Sequence, residues 1–408
     1  MKVLIHDHGL CLETAVALAR VGHDVAYHVS PSESHSRHDI ALIGKGFPGI
    51  DKVDDLHSAL DRADVVLCLD THSGDEVDWL RSKGYKVWGA GAAAERLELD
   101  RWYATQALHK AKLPTAGVQH VVGVPQLMLA LKKTSNVFVK CCGYREVETF
   151  HHIDWATTQE QFVAPLLVAY GTDPDLDFVL VDPVDPAVEV GGDNYVVKGQ
   201  APKVSGYGYE DKDSSYLGTW SNTLPQSLQR LSSALSPLLA TATSFVSTEV
   251  RVAPGGAGYP VDLTIRAAHP PLAGMLCSIR NITNVLVAGA QQQLIEPQYP
   301  SVLRYVAVLV GSSGWMTEHR GEVKFPAALR AYVKLSKAWH KDGHYFVVPS
   351  DSFPVQVVGL GQTIDAAIDL CHSIVDQVEG KDLTFDKGSL RKLADEVVPK
   401  GRRCGVPF

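Results

Sequence analysis

The chain has 408 residues, of which 45% are hydrophobic and 21% charged, and its formal net charge is −8. The length predicts two to three domains, and the composition is that of a water-soluble globular protein. The negative charge provides no global basic field for nucleic acid or an anionic membrane, and no apolar run approaches the ~20 residues that span a bilayer. Seven cysteines without zinc-module spacing indicate reduced thiols and a cytoplasmic protein.

Residues 1–95 alternate between buried strands and amphipathic helices. KVLIHD is a short apolar run that is typical of a parallel strand, CLETAVALARVG has helical spacing, and HDVAYHVS is a second strand. The same scheme continues through LHSALDRADVVLCLD and DEVDWLRSKGYKVWGAG. This alternation predicts a Rossmann-like domain with a parallel sheet.

Residues 96–325 predict an α+β region with antiparallel strands. One helix is expected over ERLELDRWYATQALHKAKL, closed by PTAG, and NVFVKCCG is a strand that carries a lysine near its end. The segment VGGDNYVV predicts a hairpin, because two apolar runs flank a Gly-Gly-Asp turn. Residues 326–408 predict a small β-rich lobe with a helix over TIDAAIDLCHSIVDQVEG, N-capped by Thr363. The expected fold class is therefore α/β, with three units over 1–95, 96–325 and 326–408.

Two strands joined by a glycine-rich turn carry an unusual set of charges in STEVRVAPGGAGYPVDLTIRAAHP. Asp262, Thr264 and Arg266 alternate along the second strand and so share one face, where Glu249 of the first strand can lie beside them. Two neighbouring carboxylates suit Mg²⁺, and an arginine suits phosphate. On these residues alone, a solvated strand face with an ordinary salt bridge remains the alternative.

Other polar residues are equally ambiguous when taken singly. Lys140 and Arg101 either reach solvent or contact a phosphate, and Glu189 is either an exposed strand residue or an acceptor for a ribose hydroxyl. His6 and His8 lie near the end of the first strand and are interpreted as loop residues that bind no metal.

The order of these features resembles the ATP-grasp superfamily and, within it, the phosphoribosylamine–glycine ligase family. LDRWYATQALHKAKLPTAG is similar to the family's middle helix, VFVK to its ATP-binding lysine strand, FVLVDPV to its adenine-binding linker, and QVVGLGQTIDAAIDLCHSI to its C-terminal end. The resemblance covers nearly the whole chain and implies ATP and Mg²⁺ as cofactors.

The resemblance also implies roles for individual residues. Arg101 and Lys140 would hold the ATP phosphates, and Lys140 and Arg266 would act in catalysis, with Arg266 stabilising an acyl phosphate. The remaining implied contacts are adenine on the backbone of Val181, Asp182 and Val184, ribose on Glu189, and Mg²⁺ on Glu249, Asp262 and Thr264, where Thr264 replaces the family's asparagine.

Three segments depart from the family pattern. The family's glycine-rich first loop is replaced by IHDHGLCLE, so that His6, Asp7, His8 and Gly9 would lie where a phosphoribosyl group approaches. The glycine-rich phosphate lid is reduced to KCCGYREVETF, so that Arg145 would have to replace backbone N–H groups on a phosphate. The substrate loop is replaced by SGYGYEDKDSSYLGTW, whose aromatic residues either stack on an acceptor or pack in the core. These residues are Tyr207, Tyr209, Tyr216 and Trp220.

The resemblance therefore implies an ATP-dependent carboxylate–amine ligase. It would join glycine or another small amino acid to an amine on a nucleotide-like or sugar-phosphate-like acceptor. Two alternatives stay open: a catalytically silent nucleotide-binding relative, and a ligase that modifies a base in nucleic acid, which the net charge disfavours. A nicotinamide oxidoreductase would need G-x-G-x-x-G after the first strand, and HDHGLCLE lacks it.

Overall fold

A parallel sheet occupies the N-terminal part of the chain. A computed structural model describes residues 1–30, 36–143, 149–350 and 353–408. The first sheet has five strands in the order β3-β2-β1-β4-β5. Its strands are β1 Lys2–Asp7, β2 Asp24–Val29, β3 Ile50–Val53, β4 Val65–Cys68 and β5 Val87–Trp88, and its helices are α1 Leu12–Arg20, α2 Arg37–Ile40, α3 Leu56–Leu60 and α4 Gly74–Ser82.

The strand order places β1 beside β4 at the point where the direction of winding reverses. In open parallel sheets, ligands bind in the crevice beyond the carboxyl ends of the strands at such a point. His8 follows β1 and Asp70 follows β4, so both lie at this crevice.

Two helices and a small antiparallel sheet come next. The single helix predicted between Glu95 and Leu113 is two helices, because Asp100 leaves helical geometry and its carboxylate accepts the Tyr103 N–H (2.8 Å), which caps a new helix. The small sheet has the order β6-β9-β7-β8. The elements are α5 Ala92–Leu99, α6 Arg101–Lys110, β6 Val118–Val122, α7 Val124–Leu131, β7 Val137–Cys141, β8 Thr149–His152, α8 Trp155–Thr158, α9 Ala164–Tyr170 and β9 Asp177–Val181.

A nine-stranded sheet forms the largest layer, in the order β14-β13-β10-β11-β12-β15-β20-β17, with β22 paired to β15. Its strands are β10 Val188–Val197, β11 Ser205–Asp211, β12 Ser215–Ser221, β13 Thr243–Val252, β14 Gly258–Thr264, β15 Tyr305–Ser312, β17 Val333–Leu335, β20 Val355–Gly361 and β22 Thr384–Phe385. The helices between them are α10 Gln226–Leu235, α11 Pro271–Ser278, α12 Ile282–Ala290 and α13 Gly314–Glu318.

The hairpin predicted in VGGDNYVV is wrong, because β10 runs through the whole segment as one strand. Gly192 is needed for close packing and not for a turn. A Cβ at Gly192 would lie 3.0 Å from Thr248 Oγ1 and 3.2 Å from a methyl carbon of Leu228 on α10. The glycine therefore lets α10 approach the sheet.

The C-terminal residues complete the large sheet and add a small one of order β18-β19-β16-β21. Its strands are β16 Gly321–Lys324, β18 Ala338–Lys341, β19 His344–Val347 and β21 Glu379–Gly380, followed along the chain by α14 Ile364–Val375, α15 Lys387–Lys392 and α16 Val398–Arg403. The Thr363 side chain accepts the Ala366 N–H (3.1 Å), which confirms the predicted N-cap. The domain boundary at 325/326 remains a prediction, and strands from both sides of it share these two sheets.

The α/β fold class is confirmed. Within the described ranges, no single helix is long and apolar enough to cross a membrane. Only α11 and α12 meet that test of length and composition, and only when they are taken together across a bend of 106°.

A buried ion pair ties the N-terminal sheet to the C-terminal residues. Glu13 on α1 and Arg330 are 6% and 7% exposed, and two guanidinium nitrogens meet the two carboxylate oxygens at 2.7 and 2.9 Å. The same carboxylate accepts the Leu335 N–H of β17 (3.1 Å). Burial opposes ionisation, but the charge of Arg330 holds the pKa of Glu13 below its usual value.

We expect Glu13→Gln to destabilise the protein by about 3–5 kcal/mol, because it leaves the Arg330 charge buried without a partner. Thermal unfolding followed by circular dichroism measures the effect. Asp365→Asn, which breaks the exposed Asp365–Arg391 pair, is the matched control and should leave the midpoint nearly unchanged. Equal midpoints for the two variants would contradict this reading of the ion pair.

Candidate active site

The β13–β14 hairpin brings the two predicted metal-binding carboxylates together. Glu249 and Asp262 are directly opposite each other in the register of the two strands, and Thr264 is opposite Ser247 on the same face. The strand ends at Thr264, so Arg266 lies beyond it and not, as the alternation predicted, on the strand face.

Two basic residues from the preceding elements reach this hairpin. Arg101, the first residue of α6, forms an ion pair with the Asp262 carboxylate, and both side chains are mostly buried. Lys140 on β7 donates a hydrogen bond from Nζ to the Val261 carbonyl oxygen. A cation from helix α6 and one from strand β7 therefore contact strand β14 of the large sheet, and the cleft is the region where these three elements meet.

The electrostatics of the cleft are strongly perturbed. Burial, and next the positive charge of Arg101, lower the pKa of Lys140 to about 7. Burial and the negative charge of Glu189 raise the pKa of Glu249. Perturbed pKa values of this kind, in groups that share a cleft, are typical of functional sites.

The donor set suits a hard divalent cation. Among the described residues, the Glu249 carboxylate forms no ion pair and accepts no hydrogen bond, so it is available as a ligand. Asp262 is held by Arg101 and by the Leu263 N–H (2.8 Å). No group of three or more His, Cys, Asp or Glu side chains in the described residues is arranged around a metal position. Two carboxylates and the Thr264 hydroxyl nevertheless fit Mg²⁺, which commonly keeps several waters and takes phosphate oxygens as further ligands.

The predicted adenine and ribose contacts lie along the linker into β10. The Asp182 N–H donates to the Gly117 carbonyl (2.8 Å), and the Val184 carbonyl accepts from Arg251 (3.1 Å). In the described structure the Val184 N–H donates no hydrogen bond, so it is free to contact a base. Val181 is the last residue of β9, and Glu189 pairs with Arg251 at 3.5 Å with its carboxylate largely exposed.

Arg266 is held by acids at the border with the N-terminal sheet. Its Nε lies 2.9 Å from Glu98 Oε1 and 3.7 Å from Asp70 Oδ1. Glu98 also accepts the Ile265 N–H through its other oxygen (2.7 Å). The predicted phosphate contact is thus a residue that connects the hairpin to the crevice of the parallel sheet.

The crevice has an internal substitute for a bound anion. The buried Asp7 carboxylate accepts the N–H groups of Gly9 (2.9 Å) and Cys11 (2.5 Å), which are the groups that a phosphate would use at the start of α1. Burial raises the pKa of Asp7, and these two N–H groups oppose the rise. Next to it, His8 Nδ1 lies 2.9 Å from Asp70 Oδ2.

The aromatic residues of the divergent loop pack inside the protein. The Tyr207 hydroxyl donates to the Pro407 carbonyl (2.6 Å), and the Tyr216 hydroxyl donates to Asp193 (2.6 Å). Trp220 stacks on Tyr299, with ring centroids 4.6 Å apart. Tyr209 is 1% exposed. These contacts favour packing over base stacking. Arg145, the predicted lid residue, lies outside the described residues.

Sequence reasoning missed Glu98 and Asp70, and it noted the position of Asp7 in the first loop without assigning its carboxylate a role. Each is an acid next to apolar residues in a helix or at a strand end, and nothing local distinguishes such a position from a solvated one. The only signal was the replacement of a glycine-rich first loop by HDHGLCLE, which places charged residues where a phosphate loop would need small ones.

The Arg101–Asp262 pair predicts how the chain binds a metal in the absence of nucleotide. Arg101→Met should lower the Kd for Mn²⁺ at least about ten-fold, because Asp262 then loses a competing cation. Electron paramagnetic resonance of free Mn²⁺ measures the binding. Arg96→Met, which breaks an exposed pair with Asp100, is the matched control. If both variants bind Mn²⁺ like the unmodified chain, Asp262 is not a ligand.

No protein-family model and no curated protein sequence matches the chain. Solved structures do match. A phosphoribosylamine–glycine ligase from Thermotoga maritima has a TM-score of 0.72 and 15% identity, over 95% of this chain and 99% of that one.

Two further structures widen the comparison. A biotin carboxylase–ATP complex from Campylobacter jejuni has a TM-score of 0.65 and 12% identity, over 97% of this chain and 95% of that one. An L-amino acid ligase from Bacillus licheniformis has a TM-score of 0.61 and 12% identity, over 94% and 98%. At this identity the likeness shows the fold alone. From end to end, the chain has the ATP-grasp fold.

Proposed function

We propose that this chain is an ATP-dependent carboxylate–amine ligase that works through an acyl phosphate. The observation that carries the proposal is the cleft itself. Arg101 of α6 contacts Asp262, and Lys140 of β7 contacts the Val261 carbonyl beside it, so that two cations lie next to the Glu249–Asp262 pair where a nucleotide's phosphates and a metal would lie. Phosphoryl transfer depends on this kind of charge neutralisation and positioning more than on a protein nucleophile.

The nucleotide would lie along the linker and the hairpin. The Val184 N–H and the backbone of Val181 and Asp182 would contact adenine, Glu189 the ribose, and Lys140 and Arg101 the phosphates. Glu249, Asp262 and Thr264 would hold Mg²⁺, which supplies neutralisation of charge on the phosphate oxygens when bound. Binding a phosphate would draw Arg101 away from Asp262, since both are anionic partners for one guanidinium.

Arg266 would stabilise the acyl phosphate formed from the carboxylate substrate. Its partners Glu98 and Asp70 fix the guanidinium at the border between the hairpin and the crevice. An amine that enters through the crevice would therefore meet the activated carboxylate beside Arg266. Glycine or another small amino acid is the proposed carboxylate substrate, and the seven free cysteines fit a cytoplasmic enzyme.

The amine acceptor is proposed to carry no phosphate at the first loop. Asp7 already takes the Gly9 and Cys11 N–H groups, so a sugar phosphate would compete with a carboxylate built into the chain. This favours a sugar-like or nucleoside-like amine over a sugar-phosphate-like one. The internal packing of Tyr216 and Trp220 also weighs against a base in nucleic acid as the acceptor.

A nucleotide-binding protein without ligase activity is the second candidate. It is favoured by the Arg101–Asp262 pair, which would have to open before Asp262 could bind a metal. If the pair persists with nucleotide present, the metal site stays incomplete.

Ligase activity is tested by ADP release with Mg²⁺, ATP and a panel of amino acids, with hydroxylamine present to trap acyl phosphates as hydroxamates. We expect Glu249→Gln to lower hydroxamate formation at least about 100-fold, because the metal loses a carboxylate ligand, while the melting temperature stays unchanged. Glu318→Gln, at an exposed position on α13, is the control.

Ribosylamine and ribosylamine 5-phosphate, each formed in solution from ammonia and the sugar, are then compared as acceptors. The KM of the phosphorylated amine should be no lower than the KM of ribosylamine. Nucleotide binding without any hydroxamate from the panel would overturn the ligase and support the second candidate.

The lowered pKa of Lys140 predicts proton uptake when ATP binds. With a pKa of about 7, Lys140 is mostly neutral at about pH 8, and a polyphosphate favours its charged form. Binding should therefore take up close to one proton, and ATP affinity should fall as the pH rises above 7. Calorimetry at about pH 8 in two buffers of different ionisation enthalpy measures the uptake.

Lys140→Met should bind ATP more weakly and with the same heat in both buffers. Lys133→Met, at an exposed position, should behave like the unmodified chain. Equal heats for the unmodified chain in the two buffers would show that Lys140 does not contact the phosphates.

A further inference from the structure

We propose that His8 and Asp70 form a dyad that removes the proton from the acceptor amine during amide formation. The inference rests on the proposed ligase function and assigns a residue to the half of the reaction that the cleft does not explain. The cleft supplies groups for nucleotide and metal, but the attacking amine must also lose a proton to a base.

The geometry of the pair sets the state of the imidazole. His8 Nδ1 lies 2.9 Å from Asp70 Oδ2, and a carboxylate only accepts hydrogen bonds, so Nδ1 carries the proton. The other nitrogen, Nε2, then has a lone pair, and among the described residues it contacts no hydrogen-bond partner. A carboxylate that orients a histidine in this way leaves the opposite nitrogen ready to accept a proton.

The dyad is both held in place and accessible. The Asp70 side chain is 3% exposed, and its Oδ1 accepts the Thr71 N–H (2.9 Å), so the carboxylate cannot turn away from His8. The His8 side chain is 19% exposed, as a group that must meet a substrate should be. Both residues lie at the ends of adjacent strands, at the crevice of the parallel sheet.

The dyad is also next to the proposed acyl phosphate. Asp70 Oδ1 lies 3.7 Å from Arg266 Nε. Arg266 is two residues after Thr264, the last residue of the proposed metal-binding hairpin. A single side chain thus separates His8's partner from the hairpin.

The charged groups around the dyad come from several elements. Asp7 lies at the end of β1, Asp70 after β4, and Arg266 after β14, with Glu98 of α5 on the far side of Arg266. From the C-terminal residues, the Lys337 N–H donates to the Gly9 carbonyl (2.9 Å) beside His8.

The step balances in bonds, electrons and protons. The amine lone pair attacks the carbonyl carbon of the acyl phosphate and forms the C–N bond. The bond from that carbon to the phosphate oxygen breaks, and phosphate leaves with the electron pair. The proton released from the amine nitrogen passes to His8 Nε2, and the Asp70 carboxylate stabilises the imidazolium until the proton is lost to water.

The test separates acyl phosphate formation from amine attack. Hydroxylamine reacts with acyl phosphates without help from a protein base, whereas ammonia and ribosylamine must be deprotonated. We expect His8→Ala to form hydroxamate at the unmodified rate with the best amino acid of the panel. The same variant should lower kcat for amide formation from ammonia or ribosylamine at least about 100-fold, the usual range for a general base.

Added imidazole should restore amide formation in His8→Ala. A residue that only shapes the loop would not respond to a free base, so rescue identifies proton transfer. The acidic limb of the kcat–pH profile should also disappear in this variant. His57→Ala, at an exposed position on α3 in the same sheet domain, is the matched control and should match the unmodified chain in all three measurements.

The outcomes distinguish the dyad from the ligase itself. Absence of hydroxamate from the unmodified chain would overturn the ligase and the dyad together. Hydroxamate without amide from either amine, or amide formation in His8→Ala at the unmodified rate, would overturn the dyad alone. Equal loss of hydroxamate and amide without imidazole rescue would show that His8 only supports the fold.

Discussion

The contact between Glu98 and Arg266 is the constraint on which the rest of the site depends. One carboxylate oxygen takes the Arg266 Nε and the other takes the Ile265 N–H, so a single buried acid fixes both the side chain and the backbone just after the hairpin. Because Glu98 belongs to α5 and Arg266 also approaches Asp70, this contact positions the large sheet against the crevice of the parallel sheet. The Ala267 N–H, which donates to the Leu69 carbonyl (3.2 Å), adds a backbone link between the same two regions.

The charges of the cleft are partly balanced within the chain. Asp262 is neutralised by Arg101, whereas Lys140 donates only to a backbone carbonyl, and burial and the charge of Arg101 lower its pKa to about 7. The Glu249 carboxylate forms no ion pair among the described residues, and burial and the negative charge of Glu189 raise its pKa. A ligand that brings both phosphate and a divalent cation would satisfy all four groups at once, which neither component could do alone.

The features that followed from the sequence are those with a strict local period. Alternation along a strand placed Asp262 and Thr264 on one face, and the turn between the strands made Glu249 their neighbour. Reasoning from local pattern failed at Gly192, because the sequence does not distinguish a glycine that allows a helix to pack closely from a glycine that forms a turn. Asp70 and Glu98 could not be identified at all, and Asp7 only by its place in the first loop, since their partners are backbone groups and side chains that only the tertiary fold brings near. The sequence drew attention to His8 but did not indicate its role, because that role depends on Asp70, which is 62 positions away in the chain.

Asp7 has a consequence for selectivity. Because the Asp7 carboxylate is part of the chain, its effective concentration at the Gly9 and Cys11 N–H groups is constant, and it competes there with any anion from solution. Any phosphorylated metabolite would have to displace it and then remain beside an acid that still cannot leave. In the proposed enzyme, the loop would therefore bind phosphorylated compounds weakly, and its backbone is already held by Asp7 without a substrate. Recognition in the crevice is left to side chains, which can change one at a time without disturbing the backbone that holds them.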